Sequence, residues 1–83
     1  MAYRYREAVL EQLSRHGVLP DAGTEPALVY DFVNDLYRYE IRRLREQLLA
    51  GLIPKKGYAD VVRQLRDRYP VLSLPLRFWT EDD

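Results

Sequence analysis

The sequence predicts an all-α fold, a three-helix bundle followed by an extended apolar C-terminal tail. Three observations carry that expectation. Apolar residues recur at three- and four-residue spacing over long stretches. Glycines stand where those stretches stop, at Gly17 and Gly51, and prolines stand where helices begin or end, at Pro26, Pro54 and Pro70. The helices are expected at about residues 2–16, 25–50 and 54–69, within one small helical domain spanning residues 1–83.

In the first helix Tyr5, Val9 and Leu13 recur at i, i+4 and i+8, with Ala2 and His16 on the same face. Arg4, Arg6, Glu7, Glu11 and Arg15 fall mainly off it. Gly17 is a natural stop, and Val18 then lies where a Schellman motif brings it to Leu13. Residues 19–23 form a loop by their turn chemistry. Thr24 is expected to cap the next helix with its hydroxyl, with Glu25 favouring the positive helix end and Pro26 in the first turn.

That second helix is long, roughly 39 Å at 1.5 Å per residue. Its apolar stripe is not uniform. Leu28, Val29, Phe32, Val33, Leu36 and Tyr39 point one way, whereas Tyr37, Ile41, Leu44 and Leu48 point another. The stripe centre turns by about 120° near Tyr37 to Glu40. Either the two halves of a straight helix have different partners, or the helix kinks near Tyr39. After a short connection, Pro54 suits the first turn of the third helix, whose face carries Tyr58, Val61, Val62, Leu65 and Tyr69. Pro70 stops it. The short turn predicts that this helix pairs antiparallel with the second half of the long one. Leu72, Leu74, Leu76 and Phe78 then alternate as in an extended segment, with Trp79 beside them, and residues 80–83 are expected to fray.

The stretch from Leu44 to Leu65 resembles the short helical hairpins called SHOCT modules: a helix ending in Gly, a small turn with Ile, then an aromatic that packs back. Gly51, Ile53 and Tyr58 stand at compatible spacing, while Pro54 replaces the usual Thr and Gly57 the usual acidic residue. The resemblance covers about a quarter of the chain. It implies an interaction or oligomerisation role without catalysis.

Composition bounds the function. The chain has no Cys and a single His, which excludes a disulfide scaffold, a Cys-ligated zinc site and a thiol nucleophile. No P-loop, dinucleotide fingerprint or HExxH pair is present. No catalytic residue, cofactor or metal is therefore expected, and an enzyme is not. No apolar run approaches a membrane span, and the first residues carry charges where a signal peptide needs its apolar core, so a cytoplasmic location and no membrane partner are expected. Eleven Arg against two Lys points to a GC-rich, bacterial genome.

The 13 basic and 13 acidic residues balance overall but not locally. Residues 38–68 carry nine basic against four acidic groups, a net +5, between acidic flanks of −3 (1–37) and −2 (69–83). The candidate anion-binding residues are Arg42, Arg43, Arg45, Lys55, Lys56, Arg63 and Arg66. The plainer reading pairs such cations with Glu40, Glu46, Asp60 and Asp67 along solvated helix faces. Nucleic acid is thus possible but not favoured.

The candidate interface residues are Tyr37, Leu72, Leu74, Leu76, Phe78 and Trp79, because the tail carries too much apolar area to remain in water. It covers either its own bundle or a second subunit. Small domains without disulfides often lean on oligomerisation, so a homo-oligomer, most simply a dimer, or another protein partner is expected. Glu40, near an apolar face, is expected to pair with an Arg such as Arg43. His16 reads as a C-terminal helix residue suited to the dipole.

Overall fold

The computed structural model describes residues 2–81. Among these, three α-helices occur: α1 (Glu7–Ser14), α2 (Pro26–Leu49) and α3 (Tyr58–Arg66). Three short 3-10 turns complete the framework, at Lys55–Gly57, Pro70–Ser73 and Leu76–Phe78. The all-α character is as the periodicity predicts.

α1 begins five residues later than expected because residues 3–6 spend their backbone elsewhere. The Tyr3 amide donates to the Ala22 carbonyl (2.7 Å) and the Arg6 amide to the Trp79 carbonyl (2.9 Å). Tyr5 forms an isolated antiparallel bridge with Thr80, closed by the Glu81 amide donating to the Arg4 carbonyl (2.8 Å). Making these pairings keeps the Arg6 backbone extended (φ −67°, ψ 142°), so the helix begins only after it. The expected fraying does not hold for Thr80 and Glu81, which these bonds secure; Asp82 and Asp83 lie outside the described residues.

Both glycine stops take the left-handed conformation that suits Gly, at φ 76° for Gly17 and 78° for Gly51. Behind each, a Schellman pair satisfies terminal carbonyls. The Val18 amide donates to Leu13 and the Gly17 amide to Ser14; the Leu52 amide donates to Gln47 and the Gly51 amide to Leu48. The start of α2 differs from expectation. Its N-cap is Glu25, with Pro26 in the first turn, and no side chain caps it. Thr24 Oγ1 instead accepts from the Asp21 amide (3.1 Å) and donates to Asp21 Oδ1 (2.9 Å), closing the preceding loop on itself. Those bonds hold the Asp21 carboxyl below its ordinary range, with the Thr24 hydroxyl contributing most.

α2 runs unbroken through Tyr39, 24 residues long. Its turning stripe therefore belongs to one continuous helix with two sets of neighbours. Val29 and Val33 enter the core, whereas Ile41 and Leu44 pack beside α3. The third helical segment is shorter than expected. Pro54 precedes a 3-10 turn, α3 occupies only Tyr58–Arg66, and Tyr69 leaves the helix before Pro70.

The tail is the main correction. It is not extended. Pro70 opens one 3-10 turn and Pro75 caps another, because a fixed φ near −65° suits the first position of a helical turn as well as a strand. The alternation of Leu72, Leu74, Leu76 and Phe78 consequently does not set which residues are buried. Val71 and Trp79 are buried, Leu72 and Leu74 half-buried, and Leu76 and Phe78 exposed. The core gathers Val9 and Leu13 from α1, Val29 and Val33 from α2, Leu65 from α3, and Tyr69, Val71 and Trp79 from the segment that follows. The tail thus covers its own chain. The molecule is elongated, with principal extents of 50 × 17 × 16 Å.

Candidate functional site

Three surfaces collect the residues that carry chemistry. The first is a polar node where α1 ends against the tail. The His16 ring stacks on Tyr69 with centroids 4.1 Å apart, and Tyr37 meets Tyr69 edge-on at 5.2 Å. His16 Nε2 donates to the Arg68 carbonyl (2.8 Å), and the Tyr69 hydroxyl donates to Glu40 Oε2. Glu40 is therefore held by a phenol rather than by the Arg expected from sequence. Burial pushes the Tyr69 phenol well above its usual range, Glu40's hydrogen bond and charge push it further, and Arg68 opposes them. A depression of about 460 Å³ beside these groups is lined by Arg15, His16, Glu40, Asp67, Arg68, Tyr69 and Pro70. His16 and Glu40 stand on different helical segments of the sequence; the fold brings them together through Tyr69, and helical spacing gives no sign of it.

The second surface is a groove of about 460 Å³ between α2 and α3. Tyr37, Ile41 and Val62 form its apolar part, and Arg38, Arg42, Arg45 and Arg66 its rim. Three of the candidate anion-binding residues, Arg42, Arg45 and Arg66, meet here with the candidate interface residue Tyr37. Arg38 joins them without having been singled out, although Arg38, Arg42 and Arg45 stand at i, i+4 and i+7 on one helix line. The other candidates lie elsewhere. Arg43 lines a smaller cavity of about 240 Å³ with Glu40, Gln47, Gln64 and Arg68. Arg63 pairs with Asp60 at 3.4 Å on the exposed face of α3. Lys55 and Lys56 sit on the 3-10 turn before α3.

The third surface splits the stripe that the sequence places on one side of the first half of α2. Leu28, Phe32 and Tyr39 point outward from α2, 63%, 55% and 57% exposed, and Leu49 follows at 78%. Leu28, Phe32 and Tyr39 lie about 100° round the helix from the Val29–Val33 line, and Leu49 farther round. The apolar arc of α2 is wider than one core face, and only its inner edge is buried. Among the candidate interface residues, Trp79 is fully buried in the chain's own core, which takes it off the free surface. Leu76 and Phe78 stay exposed, with the Arg77 guanidinium 4.8 Å from the Phe78 ring centre.

No protein-family model, curated protein or solved structure matches the chain. Among the described residues no helix is long and apolar enough to cross a membrane, and no cluster of three His, Asp or Glu residues could hold a metal ion.

Proposed function

We propose that this chain is a protein–protein interaction module that self-associates as a homodimer and has no catalytic activity. In this reading it is a three-helix bundle in which α2 and α3 form an antiparallel helical hairpin, the arrangement that the resemblance to SHOCT-type hairpins implies. The observation that carries the reading is surplus surface. The chain exposes 6370 Å², whereas a compact monomer of this mass exposes roughly 5,200 Å². Its radius of gyration is 15.3 Å, against roughly 12 Å for a compact domain of this length. The surplus, about 1,200 Å², exceeds the roughly 800 Å² that each partner gives to a standard interface. The absence of catalysis is supported by His16 Nε2 and Glu40 Oε2, which are engaged by the Arg68 carbonyl and the Tyr69 hydroxyl in structural contacts. Sedimentation equilibrium tests the proposal: the apparent mass rises with concentration from 9.9 kDa toward a dimer. A constant monomer mass up to high micromolar concentration overturns it.

The Arg-rimmed groove favours a second reading, binding of single-stranded nucleic acid. Four guanidiniums beside the Tyr37 ring can neutralise phosphates and stack on a base. Four phosphate contacts give a slope of about −3 in log affinity against log salt. Fluorescence anisotropy with a single-stranded oligonucleotide tests this; no binding at low salt disposes of it.

A further inference from the structure

The outer face of α2 has a second regularity besides its apolar residues. Leu28, Phe32, Asp35, Tyr39, Arg42, Glu46 and Leu49 follow one another at alternating spacings of four and three. That is the seam pattern by which one helix lies along another. Its charge runs in one direction. The first twelve residues of α2 carry only acidic charges, Asp31 and Asp35, while the last twelve carry Arg38, Arg42, Arg43 and Arg45 against Glu40 and Glu46. Glu40 is already held by Tyr69. Among the described residues, no ion pair within the chain involves Asp31, Asp35, Arg38, Arg42 or Arg45.

We infer that the seam is occupied by α2 of a second copy of this chain, antiparallel, across a two-fold axis within a turn of Arg38. This rests on the self-association proposed above and deepens it by naming the face and the register. The two-fold makes the surface complementary to itself. Asp31 of each copy lies opposite Arg45 of the other, Asp35 lies beside Tyr39 and within a turn of Arg42, and Phe32 meets the Arg42 guanidinium face-on. Arg38 faces its own copy, relieved by Asp35 of the second chain on the adjoining turn. A parallel pair would instead set the seam residues Asp35 against Asp35 and Arg42 against Arg42, which repel. The exposed Leu28, Phe32, Tyr39 and Leu49 supply the apolar area.

The test uses the full chain and charge reversal at exposed positions, with helicity checked by circular dichroism. Asp31→Arg with Asp35→Arg, and separately Arg42→Asp with Arg45→Asp, should each weaken self-association at least tenfold. An equimolar mixture of the two variants should restore it as a heterodimer. Because the chain has no Cys, single cysteines give an independent readout. Arg38→Cys, near the axis, should form a disulfide with its own copy on oxidation. Leu28→Cys, roughly 27 Å from its own copy in this register, should not. Equal cross-linking at both positions indicates a parallel or unspecific pair and overturns the inference. A dimer that survives both reversals uses another face: the inference falls and self-association stands. A wild-type chain that is monomeric throughout removes both.

Discussion

Trp79→Ala should lower the folding stability by about 3–5 kcal/mol, the usual cost of truncating a fully buried large side chain. For a chain of this length the whole stability is about 4–12 kcal/mol, so the substitution should remove between about a quarter and all of it. Trp79 is 0% exposed. Its indole N–H donates to the Leu74 carbonyl (3.0 Å), its ring leans on Tyr30 at 5.9 Å, and its carbonyl receives the Arg6 amide. Removing the ring opens a cavity between α1, α2 and the tail, and leaves a buried carbonyl without its donor. Urea unfolding followed by far-ultraviolet circular dichroism measures the loss. Phe78→Ala is the control: one residue away and 40% exposed, it should cost less than about 1 kcal/mol. Equal losses at the two positions would contradict the docked tail.

The second large effect is expected at Tyr69. Tyr69→Ala removes a ring held between His16 and Tyr37 and should cost about 3 kcal/mol or more. Tyr69→Phe keeps the ring and loses only the bond to Glu40, which should cost about 1.5 kcal/mol near neutrality. The pair separates packing from hydrogen bonding, and pH separates them again. The folded phenol has its pKa raised, first by burial and then by Glu40. The fold therefore favours the neutral form. Its contribution is complete below about pH 10, the unfolded value, and is lost as pH rises through the raised folded value. The wild-type advantage over Tyr69→Phe should shrink above pH 10, while the Tyr5 phenol, also raised by burial, titrates in both proteins and cancels. A gap that stays constant with pH would show that the hydroxyl is not engaged.

The helices and their ends were legible wherever one residue type decides a local conformation. Gly17 and Gly51 fixed two helix ends because the left-handed turn favours Gly, and Val9 with Leu13 marked the inner face of α1. What was not legible depended on contacts across the chain. Residues 3–6 have helical periodicity but are held in non-helical pairings with Ala22, Trp79 and Thr80, so α1 starts late. Thr24 looks like a cap until Asp21 claims its hydroxyl. Pro70 and Pro75 fit an extended segment and a 3-10 turn equally, so the choice fell to Trp79, whose burial pulls the tail into turns. On α2, periodicity gave an apolar arc without saying how much of it the rest of the chain could cover. The same limit hid both the outward Phe32 and the Glu40–Tyr69–His16 node, whose members lie up to 53 residues apart.

The bridge between Tyr5 and Thr80 has a consequence for how the chain is made. Synthesis runs from the amino end, yet the core needs Val71 and Trp79, which are made well after α1 and the first half of α2. While those remain inside the ribosome, α1 and the first half of α2 have no cover for Leu13 and Val33. The emerging chain therefore cannot complete this core before Trp79 has left the ribosome. It must wait until Thr80 has emerged and then close a loop of some 75 residues, a step whose entropy cost grows only slowly with loop length. Until that closure, the apolar faces of α1 and α2 stay open to other proteins.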